Sequence, residues 1–154
     1  MNTPKTLALL LLAASLTFPL AAAEPGKSVS LFDGKTFKGW EGDTAKTFRI
    51  QDGAIVGGNL TDKVPRNEFL ATTRQYTNFV LRLEFKLLGG PKANAGVQIR
   101  TQRIPNHHEV SGYQADMGDG WWGSIYDESR RNKVLAKADP QLTDKLVKRA
   151  AKYN

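Results

Sequence analysis

Apolar and polar residues alternate along several short stretches of this chain, which is the pattern of strands that bury one face and expose the other. The clearest stretch is 79–88, where every second residue is Phe or Leu and the residues between include Arg82, Glu84 and Lys86. Shorter strands are predicted at 29–32, 47–50, 54–56 and 69–72. The predicted fold class is therefore all-β.

Turn signals separate these stretches. Asp33-Gly34, Asp52-Gly53 and Gly57-Gly58 each fall between two apolar runs, where a tight turn is expected. Asp52-Gly53 lies between FRIQ and AIVG, and an Asp-Gly pair in that setting predicts a two-residue hairpin.

Two further predicted strands, 95–103 and 111–117, carry more polar faces. Alternation places Gln98 and Arg100 on one face of the first and Gln114 and Asp116 on one face of the second. If both pair with 79–88, a single sheet face displays these four residues with Arg82 and Glu84. One interpretation is a binding surface, and the alternative is a solvated face whose charges pair across the strands.

Residues 1–23 read as a secretory signal peptide. Lys5 precedes an apolar run from Leu7 to Leu20, and Ala21-Ala22-Ala23 forms a small-residue cleavage site. The run is too short for a membrane span and is interrupted by polar residues. The absence of cysteine excludes disulfides, thiol nucleophiles and a lipidated cysteine. We expect a periplasmic or secreted protein.

The net charge of +7 comes almost entirely from one end of the chain. Residues 24–128 carry 13 basic and 13 acidic side chains, whereas residues 129–154 carry eight basic and two acidic ones. The basic tail also contains an apolar stripe after Gln141 that predicts a short helix: Leu142, Leu146, Val147 and Ala150. A solvated helical face explains this charge better than nucleic-acid binding.

Four sequence blocks together resemble a known family. They are SLFDGKTFKGW, NFVLRLEFKL, ANAGVQIR and GYQADMGDGWWGSIYDESRR, in this order between Ser30 and Leu146. They are similar to the 3-keto-disaccharide hydrolases, also described as 3-keto-glucoside 1,2-lyase and 3-keto-2-hydroxy-glucal hydratase domains. The resemblance implies one domain over residues 28–154, with a concanavalin- or laminin-G-like β-sandwich (a jelly roll) that binds sugar on its concave face.

The chain departs from the family pattern at its C-terminus. Family domains continue through a W-N-x-Y strand, an L-N-G turn and a closing G-x-I-x-L-Q strand pair, and this sequence ends at Asn154 without them. We expect a C-terminally truncated sandwich with an open sheet edge. A partner or an oligomer would then be needed to cover that edge.

The family resemblance also implies a reaction. A ketone at C3 of a glucoside acidifies the proton on C2, so that a base can remove it and the resulting enolate can expel the C1 substituent. Addition of water to the product glucal gives net hydrolysis. Such a site needs a base near C2, a donor or cation for the enolate oxygen, and an acid for the leaving group.

Several residues could supply this chemistry. Asp116 and Glu109 are the leading base or acid, with a structural salt bridge as the alternative for each. Arg100 would stabilise the enolate unless it pairs with a strand carboxylate. His108 is a further acid/base residue. A divalent metal held by His107, His108 and Glu109 is a second interpretation of that loop, although adjacent residues lack a diagnostic ligand spacing.

Substrate contacts are expected from amides and aromatic rings in the same region. Trp121 and Trp122 follow a Gly-Asp-Gly loop, so that one indole would pack internally and the other would stack on a sugar ring. The remaining candidates are Gln98, Gln114 and Tyr113. Glu128 is expected to face Arg130 or Arg131 in a turn rather than to act in catalysis.

Three hypotheses follow. The first is an exported enzyme that cleaves 3-keto-glucosides by elimination and hydration. The second is a sugar-binding module without catalysis, because lectin-like sandwiches often bind sugars without cleaving them. The third is a truncated domain without activity of its own.

Overall fold

Short antiparallel strands make up the regular structure of this chain. The computed structural model describes residues 28–141. Chain contacts divide the molecule between Ser30 and Leu31, and all the strands belong to the second unit. Its strands are β1 (Trp40–Glu41), β2 (Phe48–Gln51), β3 (Ala54–Gly57), β4 (Ala71–Thr72), β5 (Asn94–Arg103), β6 (Val110–Gly118), β7 (Ile125–Glu128) and β8 (Val134–Ala136).

The β2–β3 hairpin confirms the turn predicted from Asp52-Gly53. The two strands pair antiparallel, with Gln51 opposite Ala54 and Phe48 opposite Gly57. Asp52 has a φ of 52° and Gly53 a φ of 74°. A type I′ turn needs two residues in the left-handed region, which Asp and Gly enter most readily.

A two-residue ladder joins β1 to β4, with Trp40 opposite Thr72. It retains only the end of the strand predicted at 69–72. The strand predicted at 29–32 is wrong, because this segment has no strand conformation in the described structure. Its Leu31 carbonyl accepts a hydrogen bond from the indole Nε1 of Trp40 at 2.8 Å.

The largest sheet is a four-stranded antiparallel meander in the order β5-β6-β7-β8. Its register places Gln98 opposite Gln114 and Gln114 opposite Tyr126. The predicted strands 95–103 and 111–117 are thereby confirmed. Neither β7 nor β8 was expected, since they are short and lie in a polar, glycine-containing stretch. A one-turn 3-10 helix, Gly90–Lys92, leads into β5.

The prediction for 79–88 is wrong in the described part of the chain. This segment has the strongest alternation in the sequence, yet it forms no strand, and most of its apolar side chains are exposed. A strand requires a partner strand to satisfy its backbone groups, and no strand among residues 28–141 pairs with this segment. The polar sheet face therefore lacks Arg82 and Glu84.

The fold is all-β, as predicted, and is consistent with a β-sandwich. Among the described residues, only Val110 is a buried apolar side chain. Between residues 28 and 141 no helix has the length and apolarity needed to cross a bilayer. The predicted signal peptide lies outside the described residues, and so does the apolar stripe of the predicted C-terminal helix, which begins at Leu142.

Candidate functional site

One face of the four-stranded sheet gathers polar side chains, and we call it the polar face. It is formed by Gln98 and Thr101 on β5, Gln114 and Asp116 on β6, and Tyr126 and Glu128 on β7. Residues directly opposite each other in an antiparallel pair share a face, so the register alone aligns Gln98, Gln114 and Tyr126 in a row across three strands.

Hydrogen bonds connect this face in a single direction. The Thr101 hydroxyl donates to Gln98 Oε1 at 2.9 Å, and Gln98 Nε2 donates to Gln114 Oε1 at 3.0 Å. Gln114 Nε2 then donates to Asp116 Oδ1 at 2.6 Å. Thr101 donates, the two glutamines each accept and donate, and Asp116 accepts, so the orientation of both amides is determined and the row ends on a carboxylate. We call these four residues the amide row.

Two glycines make room for the amide row. A Cβ added to Gly96 would lie 2.4 Å from the Gln114 amide carbon, and one added to Gly112 would lie 1.9 Å from Thr101 Oγ1. Contacts this short are not tolerated. Gln114 therefore lies over Gly96 and Thr101 over Gly112, and any side chain at either position would displace a member of the row.

A β-bulge removes Arg100 from the polar face. The pairing of β5 with β6 shifts between Ile99 and Gln102, and Arg100 has a φ of 48°. The extra residue inverts the alternation beyond it, so that Thr101 takes the place predicted for Arg100. The Arg100 side chain is exposed.

Asp116 is held by its backbone as well as by the amide row. Its N–H donates to the Ser124 carbonyl and its carbonyl accepts from Gly123 N–H, both at 2.9 Å. The residue is 6% exposed. Gln114 engages only Oδ1, which leaves Oδ2 of this fixed carboxylate without a hydrogen bond among the described residues.

Glu128 and Tyr126 belong to the same face but were not predicted as site residues. Burial, and then the negative charges of Glu109 and Asp116, raise the pKa of the Glu128 carboxyl. Burial and then the charge of Glu128 raise the pKa of the Tyr126 phenol. Glu128 was expected to pair with an arginine. The β6–β7 register puts Glu128 opposite Gly112 and so places it on the polar face instead.

The loop before β6 brings Glu109 and the two histidines together. The His107 and His108 rings stack with centroids 4.5 Å apart, and His107 Nδ1 accepts the Glu109 N–H at 3.1 Å. Asn67 Nδ2 donates to Glu109 Oε1 at 3.2 Å. Within residues 28–141, His108 Nδ1 and Glu109 Oε2 are buried without a hydrogen-bond partner, and His108 Nδ1 lies 3.6 Å from Glu109 Oε1. In the described part of the chain, no three His, Asp or Glu side chains are arranged to hold a metal ion.

A cavity of about 830 Å³ opens beside this loop. Two ion pairs lie in its wall, Arg66 Nε with Glu68 Oε1 and Arg103 Nε with Glu41 Oε1, each at 2.7 Å. The stacked histidines complete the wall. The cavity is open to solvent, and its wall presents both charged donors and charged acceptors.

Comparison of the sequence with models of known protein families gives one match. Residues 27–152 match the model of the 3-keto-alpha-glucoside-1,2-lyase-like domain. The chain belongs to this family. No curated protein and no solved structure gives a significant match. The match spans most of the chain and includes every strand described above.

The lyase-like domain brings together three of the predicted site residues, Gln98, Gln114 and Asp116, on its polar face. Trp122 stacks on Phe85, with ring centroids 6.1 Å apart, and Trp121 is exposed at the tip of the β6–β7 turn. The structure also adds three residues that were not predicted: Thr101, Tyr126 and Glu128.

Tyr113 lies on the opposite face of the lyase-like domain's sheet. It is directly opposite Asp127, and the Arg130 guanidinium carbon lies 4.3 Å from its ring centroid. The fully buried Asp127 accepts from Arg130 Nε at 2.6 Å and from Arg131 Nη1 at 2.7 Å. The turn arginines thus pair with Asp127 rather than with Glu128, which corrects the sequence-based expectation.

Proposed function

We propose that this lyase-like domain is an exported enzyme that cleaves 3-keto-glucosides by elimination and hydration. The observation that supports it best is the amide row, which ends on a nearly buried carboxylate with one oxygen that makes no hydrogen bond to residues 28–141. A solvated face would not need two oriented amides and two glycines to hold one aspartate. Export is supported by the signal-like residues 1–23.

Asp116 is the base in this proposal. Its Oδ2 removes the proton from C2 of the sugar, and the electron pair of that C–H bond forms the C2–C3 double bond of an enolate. Gln114 holds Oδ1 at 2.6 Å and so fixes the direction of the free oxygen. Pre-orientation of this kind lowers the barrier because little reorganisation is needed during the reaction.

Neutral donors on the same face serve the enolate oxygen. The Tyr126 phenol has a raised pKa and so keeps its proton at neutral pH. Each glutamine amide also has a second N–H beyond the one used in the row. Donors aimed at a developing negative charge are the principal source of electrostatic stabilisation in such reactions. Arg100 does not take this role, because the bulge turns it away.

Glu128 is the acid for the leaving group. Its pKa is raised by burial, by Glu109 and by Asp116, so the carboxyl retains a proton more readily than an isolated glutamate. As the enolate re-forms the ketone, the C1–O bond breaks and its oxygen takes this proton. The product is a 3-keto-2-hydroxy-glucal. Water then adds its hydroxyl to C1 and a proton to C2, so the net reaction is hydrolysis without redox change.

The decisive experiment follows a 3-keto-disaccharide in D₂O with the wild-type chain and with Asp116→Asn. We expect exchange of the C2 proton and appearance of the conjugated glucal with the wild type, and a loss of about 10²-fold or more in both with the variant. Asp119→Asn is the matched control, since Asp119 is an exposed carboxylate three residues away that makes no contact in the described structure. A parallel sample with a chelator tests for a metal at the enolate.

Other outcomes would select a different function. Saturable binding without C2 exchange would favour a sugar-binding module, for which the exposed Trp121 offers a stacking surface. Cleavage without C2 exchange would exclude elimination as the mechanism. Equal activity of Asp116→Asn and the wild type would remove Asp116 from the reaction altogether.

A further inference from the structure

The 79–88 segment is the largest apolar stretch that the described structure leaves uncovered. Phe79 and Leu83 are each 48% exposed, Phe85 is 53% exposed and Val80 is 76% exposed. No residue of the segment takes part in a strand ladder. Its ring contacts are Phe79 with Tyr76 and Phe85 with Trp122. An exposed stretch of this kind is a ready template for strand pairing.

The segment has the composition of a strand along its whole length. Aromatic and aliphatic residues fill seven of its ten positions, and it contains neither glycine nor proline. In a strand, the residues at 79, 81, 83, 85 and 87 would share an apolar face. Three charges would lie on the other face in the order Arg82, Glu84, Lys86.

This charge order makes the segment complementary to itself in the antiparallel direction. If two copies pair about Leu83, then Arg82 lies opposite Glu84 of the partner subunit, and the two-fold symmetry repeats the pair. The same register places Leu81 opposite Phe85 of the partner subunit. Opposite charges and apolar pairs directly across a ladder stabilise a sheet.

Other registers satisfy the charges less well. Pairing about Glu84 would place Glu84 against its own copy and Arg82 against Lys86 of the partner subunit, so all three contacts would repel. Parallel pairing in register would also bring like charges together. Pairing about Phe85 joins Glu84 to Lys86 of the partner subunit but aligns only residues 82–88, whereas pairing about Leu83 aligns residues 79–87.

We propose that the 79–88 segment is a dimerisation strand, which pairs antiparallel about Leu83 with the same segment of a second copy of this chain. The ladder satisfies the backbone groups along one edge of the segment in each copy. The interface is isologous and closes on itself, so it produces a dimer rather than a filament.

Charge reversal and rescue test the proposal. The association of the expressed chain is measured by sedimentation velocity over a range of concentrations. Arg82→Glu and Glu84→Arg each convert two attractive contacts into two repulsive ones, and each should weaken the dimer about tenfold. The double variant R82E/E84R restores opposite charges across the ladder and should recover wild-type affinity. Far-UV circular dichroism confirms that each variant retains its fold.

A cysteine scan tests the register. The chain has no cysteine, so Leu83→Cys introduces a single thiol that lies opposite its own copy and should form an intersubunit disulfide under mild oxidation. Val80→Cys is the matched control, because position 80 lies opposite position 86 in this register and should remain reduced. Cross-linking through Phe85→Cys instead would contradict the Leu83-centred register.

Each outcome of these experiments either supports the dimer or overturns it. A dimer that weakens with each reversal, recovers in the double variant and cross-links at position 83 supports the proposal. A monomer at all concentrations would overturn it. So would a dimer that is insensitive to both reversals, because the contact would then lie elsewhere. None of these readouts depends on activity, so the result stands apart from the proposed reaction.

Discussion

Asp116 and Asp127 are two buried carboxylates on neighbouring strands of one sheet. They point to opposite faces and differ in how many of their oxygens are hydrogen-bonded. Asp127 points to one face, where two guanidiniums engage both of its oxygens at 2.6 and 2.7 Å. Asp116 points to the other, where a single amide engages one oxygen. Both oxygens of Asp127 are engaged and the residue is fully buried, whereas Asp116 keeps one oxygen without a hydrogen bond in the described part of the chain. Burial alone therefore does not identify a functional aspartate, and the count of occupied oxygens separates the two.

The two arginines stabilise the ionised form of Asp127. Burial acts to raise the pKa of Asp127, but hydrogen bonds and attraction from Arg130 and Arg131 outweigh it, and the pKa is lowered. Asp127 also anchors the β7–β8 turn through its backbone, because its carbonyl accepts from Asn132 N–H at 3.0 Å. This face is structural, and Tyr113 completes it through its contact with Arg130.

The largest effect is expected from Asp127→Asn. The variant leaves two arginines without their anion, so we expect Tm at pH 7 to fall by about 10 °C. A lowered carboxyl pKa contributes stability above the unfolded value of 3.8 and loses it as the pH falls through the folded value. The difference in Tm from the wild type should therefore close below about pH 4. A calorimetric scan at several pH values checks this, and a constant difference would contradict it.

Thr101→Val should affect activity more than stability. The substitution retains the shape of the side chain but removes the donor to Gln98 Oε1, so that the Gln98 amide is held from one side only. We expect activity to fall about tenfold and the free energy of unfolding to fall by about 1 kcal/mol. Thr101→Ser, which keeps the hydroxyl, is the matched control in steady-state kinetics. Equal losses in both variants would show that the methyl group matters and the hydrogen bond does not.

Glu128→Gln should give a smaller effect on stability, of the opposite sign. A raised carboxyl pKa stabilises the fold fully below the unfolded value of 4.5, and that contribution is lost as the pH rises through the folded value. The glutamine variant has no such loss, so its Tm at pH 7 should exceed that of the wild type by about one or two degrees. Activity should fall in the same variant. A variant less stable than the wild type at pH 7 would contradict the pKa shift.

Alternation predicted the strands that carry the site. The 95–103 and 111–117 patterns became β5 and β6, and the register that follows from them unites Gln98, Gln114 and Asp116. The Asp-Gly turn was equally readable, since its backbone conformation depends on two residues alone. Alternation also separates Tyr113 from Gln114, so the placement of Tyr113 on the opposite face follows from the same rule.

The remaining features depend on information that no single segment contains. The bulge at Arg100 arises from the pairing of two strands, and one extra residue exchanges Arg100 for Thr101 on the polar face. Glu128 joins that face only through its register with Gly112. The same holds for the 79–88 segment. Its alternation indicates that it can form a strand but does not identify the partner strand.

The hydrogen bonds of the amide row all run in one direction, and that direction depends on whether Asp116 carries a proton. When Asp116 takes the C2 proton in the proposed reaction, its carboxyl can donate to the Gln114 carbonyl oxygen, and both amides can turn over so that Thr101 ends as the acceptor. The amide row therefore has two hydrogen-bonded arrangements, and a change at the Asp116 carboxylate alters the bond made by Thr101 beside the bulge, three hydrogen bonds away. We expect the side-chain amide NMR signals of Gln98 and Gln114 to change together in the Asp116→Asn variant, and a change in only one of them would show that the two amides are not coupled.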